Sequence, residues 1–194
     1  MAKAVVTVLY EDQRGPRQGF GLHMLVKACV FDAINGQRQW LEGEALKDFR
    51  PLKGAPALLR ACREEVELIA PDGHSVVAVF DNDQIRRLLA LPRNATAARV
   101  EQEIRKGCRA SSGLFIVLLE QNTESVIKAA AKCDPTLDKK RVERAVKQKA
   151  PLDRDSILSE LSHERSRPVR DCILRELSSF RTLIHLLCSK LRPS

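Results

Sequence analysis

The hydrophobic pattern of the chain contains three short apolar runs, and each of them leads into acidic residues. The runs cover residues 4–10, 75–81 and 113–119, and the second contains five consecutive apolar residues directly before Asp81. Short apolar runs that are rich in valine and bounded by turn residues are typical of buried strands in a parallel sheet. The pattern therefore predicts three parallel strands that are neighbours in one sheet.

Between these runs, apolar residues recur at the three- and four-residue spacing of amphipathic helices. Residues 37–52 are polar and are predicted to be irregular. The predicted helices cover residues 22–34, 54–69, 84–91, 95–106 and 124–132. Because strands alternate with helices, we predict an α/β fold, with a mostly parallel sheet flanked by helices.

From residue 134 onward the pattern contains helical spacing and no strand signal. The predicted helices cover residues 137–149, 153–163 and 168–191. This segment holds 14 Lys and Arg against 9 Asp and Glu, which gives it +5 of the formal net charge of +8. We therefore expect an α/β core over residues 1–133 and a basic helical extension over residues 134–194 that packs on the core.

The composition is that of a folded protein with a basic excess. Hydrophobic residues make up 44% of the 194 residues, which is enough for a core, and no segment has the length of a membrane span. The net charge of +8 is compatible with a polyanionic partner such as DNA or RNA. Because aromatic residues make up only 4%, a protein that stacks single-stranded bases on aromatic side chains is disfavoured.

The cysteines are dispersed along the chain and form no C-x-x-C pair. Several of them fall on the apolar stripes of predicted helices, where a thiol behaves as a small hydrophobic group. We interpret all six as reduced core residues of a cytoplasmic protein, neither zinc ligands nor disulfides. They are Cys29, Cys62, Cys108, Cys133, Cys172 and Cys188.

Acidic residues follow all three predicted strands. Glu11 follows the first, Asp81 and Asp83 close the second, and Glu120 follows the third, with Glu124 one helical turn later. Strand residues i and i+2 point to the same side, and the carboxyl ends of parallel strands share one edge of the sheet. Carboxylates gathered at this edge favour a hard cation, Mg²⁺ or Mn²⁺. The alternative is that Asp83 only caps the next helix and that Asp81 is a loop residue.

Four arginines lie near the same predicted edge. Arg14 and Arg17 belong to a loop with three glycines after the first strand, and Arg86 and Arg87 lie in the short helix after the second. Guanidinium groups match phosphate oxygens with paired donors. We interpret these arginines as candidate substrate-binding residues, with solvated surface charge as the alternative.

A glutamate after the first strand and an Asp-x-Asp motif after a later one resemble the Toprim domain, which topoisomerases, primases, recombination-associated proteins and some nucleases share. The matching segments are Tyr10-Glu11 and Val79-Phe80-Asp81-Asn82-Asp83. Residues 118–127 resemble the acidic segment of small Toprim-like proteins of unknown function, some of which occur in bacterial defence modules. The chain departs from the family at Asp12, because many Toprim domains have glycine there.

The resemblance implies a role for each acid. Glu11 would act in general acid/base chemistry, and Asp81 and Asp83 would hold Mg²⁺. Two candidates compete for a further metal ligand, since Glu120 lies at the strand end whereas Glu124 fits the resemblance better. In such sites the cation positions a phosphate and stabilises the charge that develops on it.

From these observations we predict that the protein is a metal-dependent nuclease that cleaves phosphodiester bonds in DNA or RNA and acts in antiviral defence or DNA processing. We also expect a separate ATPase or other protein partner, a homo-oligomer and no association with membranes. One alternative is a non-catalytic Toprim-like interaction subunit of a larger complex. Another is a haloacid-dehalogenase-like phosphatase, because Asp81 and Asp83 after an apolar strand mimic its nucleophile motif.

Overall fold

A four-stranded, all-parallel sheet forms the centre of the fold. The computed structural model describes residues 6–11, 22–34, 48–64, 66, 74–108, 113–120, 123–148 and 150–191. The strands lie in the order β2-β1-β3-β4, and each neighbouring pair is parallel. They are β1 (Val6–Glu11), β2 (Asp48–Leu52), β3 (Ser75–Asp81) and β4 (Leu114–Leu119). The predicted α/β fold with a parallel sheet is confirmed.

The three apolar runs form β1, β3 and β4, with β3 between the other two. Every residue from Val76 to Phe80 is buried, as expected for a strand that is covered on both faces. The direct neighbours are β1 with β3 and β3 with β4, so the first and third predicted strands do not pair with each other.

The strand β2 was not predicted, because residues 37–52 were expected to be irregular. It pairs in parallel with β1 from Thr7–Asp48 to Glu11–Leu52 and lies at the edge of the sheet. None of its five residues is fully buried, so it shows no apolar run. Pro51 fits at this place because an edge strand does not need every backbone N–H for pairing.

The chain forms two compact units. Unit 1 comprises residues 1–18, 39–120 and 189–194, and unit 2 comprises residues 19–38 and 121–188. This division differs from the boundary predicted after residue 133. The difference arises because the first helix and the helix that begins at Thr123 pack with the later helices, not as part of the sheet unit.

In the part of unit 1 that the structure describes, the sheet is accompanied by three helices, whose apolar faces form one cluster with the strands. The helices are α2 (Gly54–Glu64), α3 (Asn82–Leu88) and α4 (Ala97–Arg105). The cluster includes strand residues 9, 76, 78, 80 and 114 together with Leu58, Cys62, Ile85, Val100 and Ile104. Alternate positions of β3 therefore point into this cluster, and this alternation fixes the orientation of the residues at its end.

Unit 2 is helical. The described helices that begin in this unit are α1 (Leu22–Ala33), α5 (Thr123–Cys133), α6 (Lys139–Lys147), α7 (Pro151–Ser162), α8 (Arg167–Glu176) and α9 (Ser178–Leu191). Helix α1 packs on α7, α5 packs on α6 and α8, and α6 packs on α7. The predicted helix over residues 168–191 is two helices, separated at Leu177.

A disulfide joins Cys133, at the end of α5, to Cys172 in α8. The prediction that all six cysteines are reduced is therefore wrong for this pair. The two residues are 39 positions apart, and the packing of α5 on α8 brings them together, so no local spacing predicts the bond. The other four cysteines form no disulfide, and three of them, Cys29, Cys62 and Cys188, are buried.

Among the described residues, no helix combines the length and the apolar character that a membrane span requires.

Candidate site at the carboxyl ends of the central strands

The strand order places a topological switch point between β1 and β3. The chain passes from β1 to β2 on one side and from β3 to β4 on the other, while β1 and β3 are direct neighbours. In open parallel sheets, the crevice outside the carboxyl ends of such strands is where ligands bind. In this protein β1 ends at Glu11 and β3 ends at Asp81.

The Glu11 carboxylate is anchored on the neighbouring strand. Its Oε1 accepts a hydrogen bond from the backbone N–H of Asp81 at 3.2 Å. Its Oε2 is buried and has no hydrogen-bond partner among the described residues. Burial raises the pKa of Glu11 to about 7; the Asp81 N–H opposes this rise, and the nearby Asp81 carboxylate adds to it. Glu11 therefore titrates near neutral pH.

Asp81 caps the helix that follows it. Its Oδ1 accepts hydrogen bonds from the backbone N–H groups of Asp83 and Gln84, each at 3.0 Å. The sequence alternative gave the cap to Asp83, but the structure gives it to Asp81. Because β3 ends at Asp81, strand alternation does not extend to Asp83, which lies exposed in the first turn of α3. Glu11 and Asp81 are thus brought together, and Asp83 is not presented by the strand.

Asn82 is a site residue that the sequence analysis did not single out. It is 7% exposed, and its Oδ1 is buried without a partner among the described residues. In the pairing of β1 with β3, Leu9 lies opposite Ala78. Both residues belong, together with Phe80, to the hydrophobic cluster on one face of the sheet. Glu11 is two residues after Leu9 and continues this face, whereas Asn82 is the first residue of α3 and lies beyond the strand alternation. The burial of the Asn82 amide is therefore a finding of the structure that no strand pattern in the sequence predicts.

The two candidates for the further metal ligand, Glu120 and Glu124, lie in different surroundings. Glu120 follows β4 and is exposed. Glu124 lies in the first turn of α5 in unit 2, where its carboxylate forms an ion pair with Arg154. That pair is largely buried, with 20% of the Glu124 side chain and 16% of the Arg154 side chain exposed. The Glu124 carboxylate is therefore already neutralised within unit 2.

The candidate arginines are only partly placed by the structure. Arg14 and Arg17 lie outside the described residues. Arg86 folds back on its own segment, since its Nη1 donates to the carbonyl oxygen of Arg93. Arg87 lies exposed in the last turn of α3. Of the two described candidates, Arg87 is the one whose side chain extends into solvent.

The donor set at this edge fits a hard divalent cation. Among the residues that the structure describes, no group of three or more His, Cys, Asp or Glu side chains could hold a metal. Glu11 and Asp81 nevertheless supply two carboxylates, and Mg²⁺ is commonly held by one or two carboxylates together with waters and substrate phosphates. The buried, unpartnered Oε2 of Glu11 is an acceptor that a cation would satisfy. A cation held here would thus depend on the substrate for part of its coordination.

Comparison with known proteins gives no family: no protein-family model, no curated protein and no solved structure matches the chain.

Proposed function

We propose that the protein is a Mg²⁺- or Mn²⁺-dependent nuclease with a Toprim-like site, which hydrolyses phosphodiester bonds in DNA or RNA. The observation that carries the proposal is the pairing of Glu11 with Asp81 at the switch point of the sheet, where Glu11 has a pKa of about 7. A carboxyl group with such a pKa is suited to proton transfer at neutral pH.

The chemistry divides between these two side chains. Glu11 would take a proton from the attacking water as its oxygen bonds to phosphorus, and the same proton would pass to the leaving alkoxide as the P–O bond breaks. Asp81 is held in one orientation by the two N–H groups that it caps, so its carboxylate is positioned beside Glu11 before substrate arrives. A bound cation would supply electrostatic stabilisation of the phosphate.

The basic excess supports a polyanionic substrate. The chain carries a formal net charge of +8, and the exposed Arg87 on α3 is available to contact phosphate. A defence or DNA-processing complex, an ATPase partner and a homo-oligomer belong to the same proposal and rest on the Toprim resemblance. So does a cytoplasmic location, although the Cys133–Cys172 disulfide is of a kind that is uncommon in the cytosol.

A second candidate is a non-catalytic interaction subunit with the same fold. It is favoured by the state of the other acids: Glu124 is neutralised by Arg154, and the Oδ1 of Asp81 is used in capping. Asp81 is for the same reason a poor nucleophile, so we do not pursue the phosphatase alternative. The interaction subunit and the nuclease differ in one measurable property, which is divalent-cation-dependent cleavage.

The test is cleavage of labelled double- and single-stranded DNA and RNA with Mg²⁺ or Mn²⁺, by the wild type and by Glu11→Gln. Gln keeps the acceptor for the Asp81 N–H but carries no transferable proton, so turnover should fall at least about 100-fold. The matched control is Glu64→Gln, which changes an exposed glutamate of unit 1 and should cleave as the wild type does. Absence of cation-dependent cleavage in the wild type would favour the interaction subunit.

A further inference from the structure

The buried face at the end of β3 contains an oxygen that the metal proposal above leaves unused. Asn82 is 7% exposed, and its amide oxygen lies buried without a hydrogen-bond partner among the described residues. Buried polar atoms in folded proteins are nearly always satisfied by protein, water or a bound ion. An orphaned carbonyl oxygen therefore points to something that approaches it.

A second orphaned oxygen belongs to a carboxylate that is anchored one residue before Asn82. The Glu11 carboxylate accepts a hydrogen bond from the backbone N–H of Asp81, and its other oxygen, Oε2, is also buried without a partner among the described residues. Consecutive Cα atoms are about 3.8 Å apart, so the backbone group that anchors Glu11 is a direct chain neighbour of Asn82. Glu11 continues the face of β1 that carries Leu9, and Asn82 is buried at the start of α3.

The two orphaned groups are both acceptors, and this restricts what can satisfy them. Two oxygens of this kind cannot bond to each other while Glu11 is ionised, so each needs a donor or a cation, and one cation can serve both. Carboxylate and amide carbonyl oxygens are ligands that hard divalent cations prefer, whereas softer metals prefer imidazole and thiolate. A cation satisfies both atoms and also relieves the repulsion between the Glu11 and Asp81 carboxylates.

We propose that Asn82, through its Oδ1, is a direct ligand of a divalent cation that Glu11 Oε2 also binds, in the position that the Asp-x-Asp motif assigned to Asp83. This inference rests on the proposed function, because it concerns the same cation. It adds a neutral amide to the two carboxylates of Glu11 and Asp81, in place of the third carboxylate that Asp83 would have supplied. The site is then less negative, and the substrate phosphate completes it more readily.

The test measures Mn²⁺ binding directly, without nucleic acid and without turnover. The dissociation constant is obtained at pH 7.5 from the electron paramagnetic resonance signal of free Mn²⁺, with the thermal shift on adding Mn²⁺ as a second readout. Asn82→Ala should weaken binding about tenfold or more, because even residues that only support metal ligands commonly contribute 10- to 100-fold. Without Mn²⁺ its melting temperature should be unchanged or higher, since an unpaired buried oxygen is removed.

Two further variants make the result specific. Asn82→Asp keeps the shape and adds a charge, so it should bind Mn²⁺ at least as tightly as the wild type but melt lower without Mn²⁺. Asn94→Ala removes an exposed asparagine of unit 1 and should bind as the wild type does.

The outcomes separate this inference from the proposed function. If the wild type binds Mn²⁺ and Asn82→Ala binds it equally well, Asn82 is not a ligand and a water satisfies its oxygen, while the metal-dependent nuclease stands. If the wild type shows neither a change in the free Mn²⁺ signal nor a thermal shift, both proposals are overturned.

Discussion

Each of the two compact units contains a buried polar cluster, and the clusters differ in how many of their hydrogen-bonding groups have partners. In unit 2 the Arg170 side chain is 2% exposed and forms four hydrogen bonds, two to Asp32 and two to the backbone carbonyls of Leu161 and His163. In unit 1 the switch-point site, defined by Glu11, Asp81 and Asn82, leaves two buried oxygens without partners among the described residues.

The difference indicates separate roles for the two clusters. A buried charge that uses four of its five N–H donors in hydrogen bonds holds helices together and has little capacity left for a ligand. Buried oxygens without partners carry a desolvation penalty that only a bound group removes. The Arg170–Asp32 pair therefore joins α1, α7 and α8 as a structural element, whereas the switch-point site is organised for binding. The following predictions test this contrast, beginning with the largest expected effect.

Removing Arg170 should strongly destabilise the protein. In Arg170→Met, Asp32 stays partly buried without its partner, and breaking a buried pair in this way typically costs about 3–5 kcal/mol. The comparison is Arg50→Met, since the Arg50–Asp48 pair is exposed and such pairs contribute about 0–1 kcal/mol. Urea denaturation gives both free energies of unfolding. A loss below about 1 kcal/mol for Arg170→Met would contradict a structural role for the pair.

The disulfide is the second stabilising element that belongs to unit 2 alone. Closing a loop between residues 39 positions apart should stabilise the protein by about 3–4 kcal/mol in the chain-entropy model. A Cys133→Ser/Cys172→Ser variant should therefore unfold at lower urea and should not respond to reductant. Hydrogen exchange should assign the lost protection to α5 and α8.

Thiol counting checks the disulfide independently. Unreduced protein in denaturant should expose four thiols, and reduction should raise the number to six. In the native protein Cys29 and Cys62 should react slowly, because burial raises the pKa of each of these two thiols to about 12. Six reactive thiols before reduction would show that the bond is absent in solution.

The sequence predicted the parts of the fold that depend on local patterns. Three of the four strands were recognisable because β1, β3 and β4 consist mostly of apolar residues, while β2 contains Asp48, Arg50 and Pro51 and lies at the edge of the sheet. The meeting of Glu11 with Asp81 was also predictable, since the carboxyl ends of neighbouring parallel strands share one edge.

The remaining features depend on contacts between distant residues. Arg170 and Asp32 are 138 positions apart, and Glu124 and Arg154 are 30 apart, so no local pattern reveals either pair. Asn82 lies between two acids at the start of α3, and its burial depends on packing that no local sequence pattern reveals. Whether Asp81 or Asp83 caps α3 depended on where β3 ends, and a sequence pattern fixes such boundaries poorly.

The raised pKa of Glu11 makes the stability of the wild type depend on pH. The pKa of this carboxyl is near 4.5 in the unfolded chain and about 7 in the folded protein. Between these values the folded state holds a proton that the unfolded state has lost, so stability falls as the pH rises from about 4.5 to about 7. Because water screens a half-buried carboxyl, the loss of stability is smaller than the pKa shift alone would give, and we expect the free energy of unfolding to fall by about 1–2 kcal/mol.

The measurement is urea denaturation of the wild type and Glu11→Gln at several pH values between 4.5 and 7.5, without divalent cations. The difference between the two proteins removes the contribution of every other titrating group. The wild type should lose stability relative to the variant as the pH rises, whereas Glu64→Gln should follow the wild type throughout. Parallel profiles for the wild type and Glu11→Gln would show that the Glu11 carboxyl is not desolvated.

The smallest predicted effect compares two helix caps of the same chemistry, one in each unit. Asp81 caps α3, and Asp138 caps α6 by accepting a hydrogen bond from the Lys140 N–H at 2.9 Å. Replacing an aspartate cap with alanine usually costs about 0.5–2 kcal/mol. Asp81 lies near the Glu11 carboxylate, so its removal also relieves repulsion with Glu11, and this relief exists only while Glu11 is ionised.

The two caps should therefore respond differently to pH. At pH 8 the loss of repulsion with Glu11 offsets part of the stability that the cap contributes. Asp81→Ala should therefore destabilise the protein less than Asp138→Ala, even though Asp81 accepts two N–H bonds. At pH 5.5 Glu11 is protonated, the relief disappears, and the cost of Asp81→Ala should rise by about 0.5–1 kcal/mol. The cost of Asp138→Ala should stay the same, because the arginines near it do not titrate in this range. An equal cost of Asp81→Ala at both pH values would mean that Glu11 and Asp81 do not interact electrostatically, and the carboxylate pair on which the proposed cation site depends would be lost.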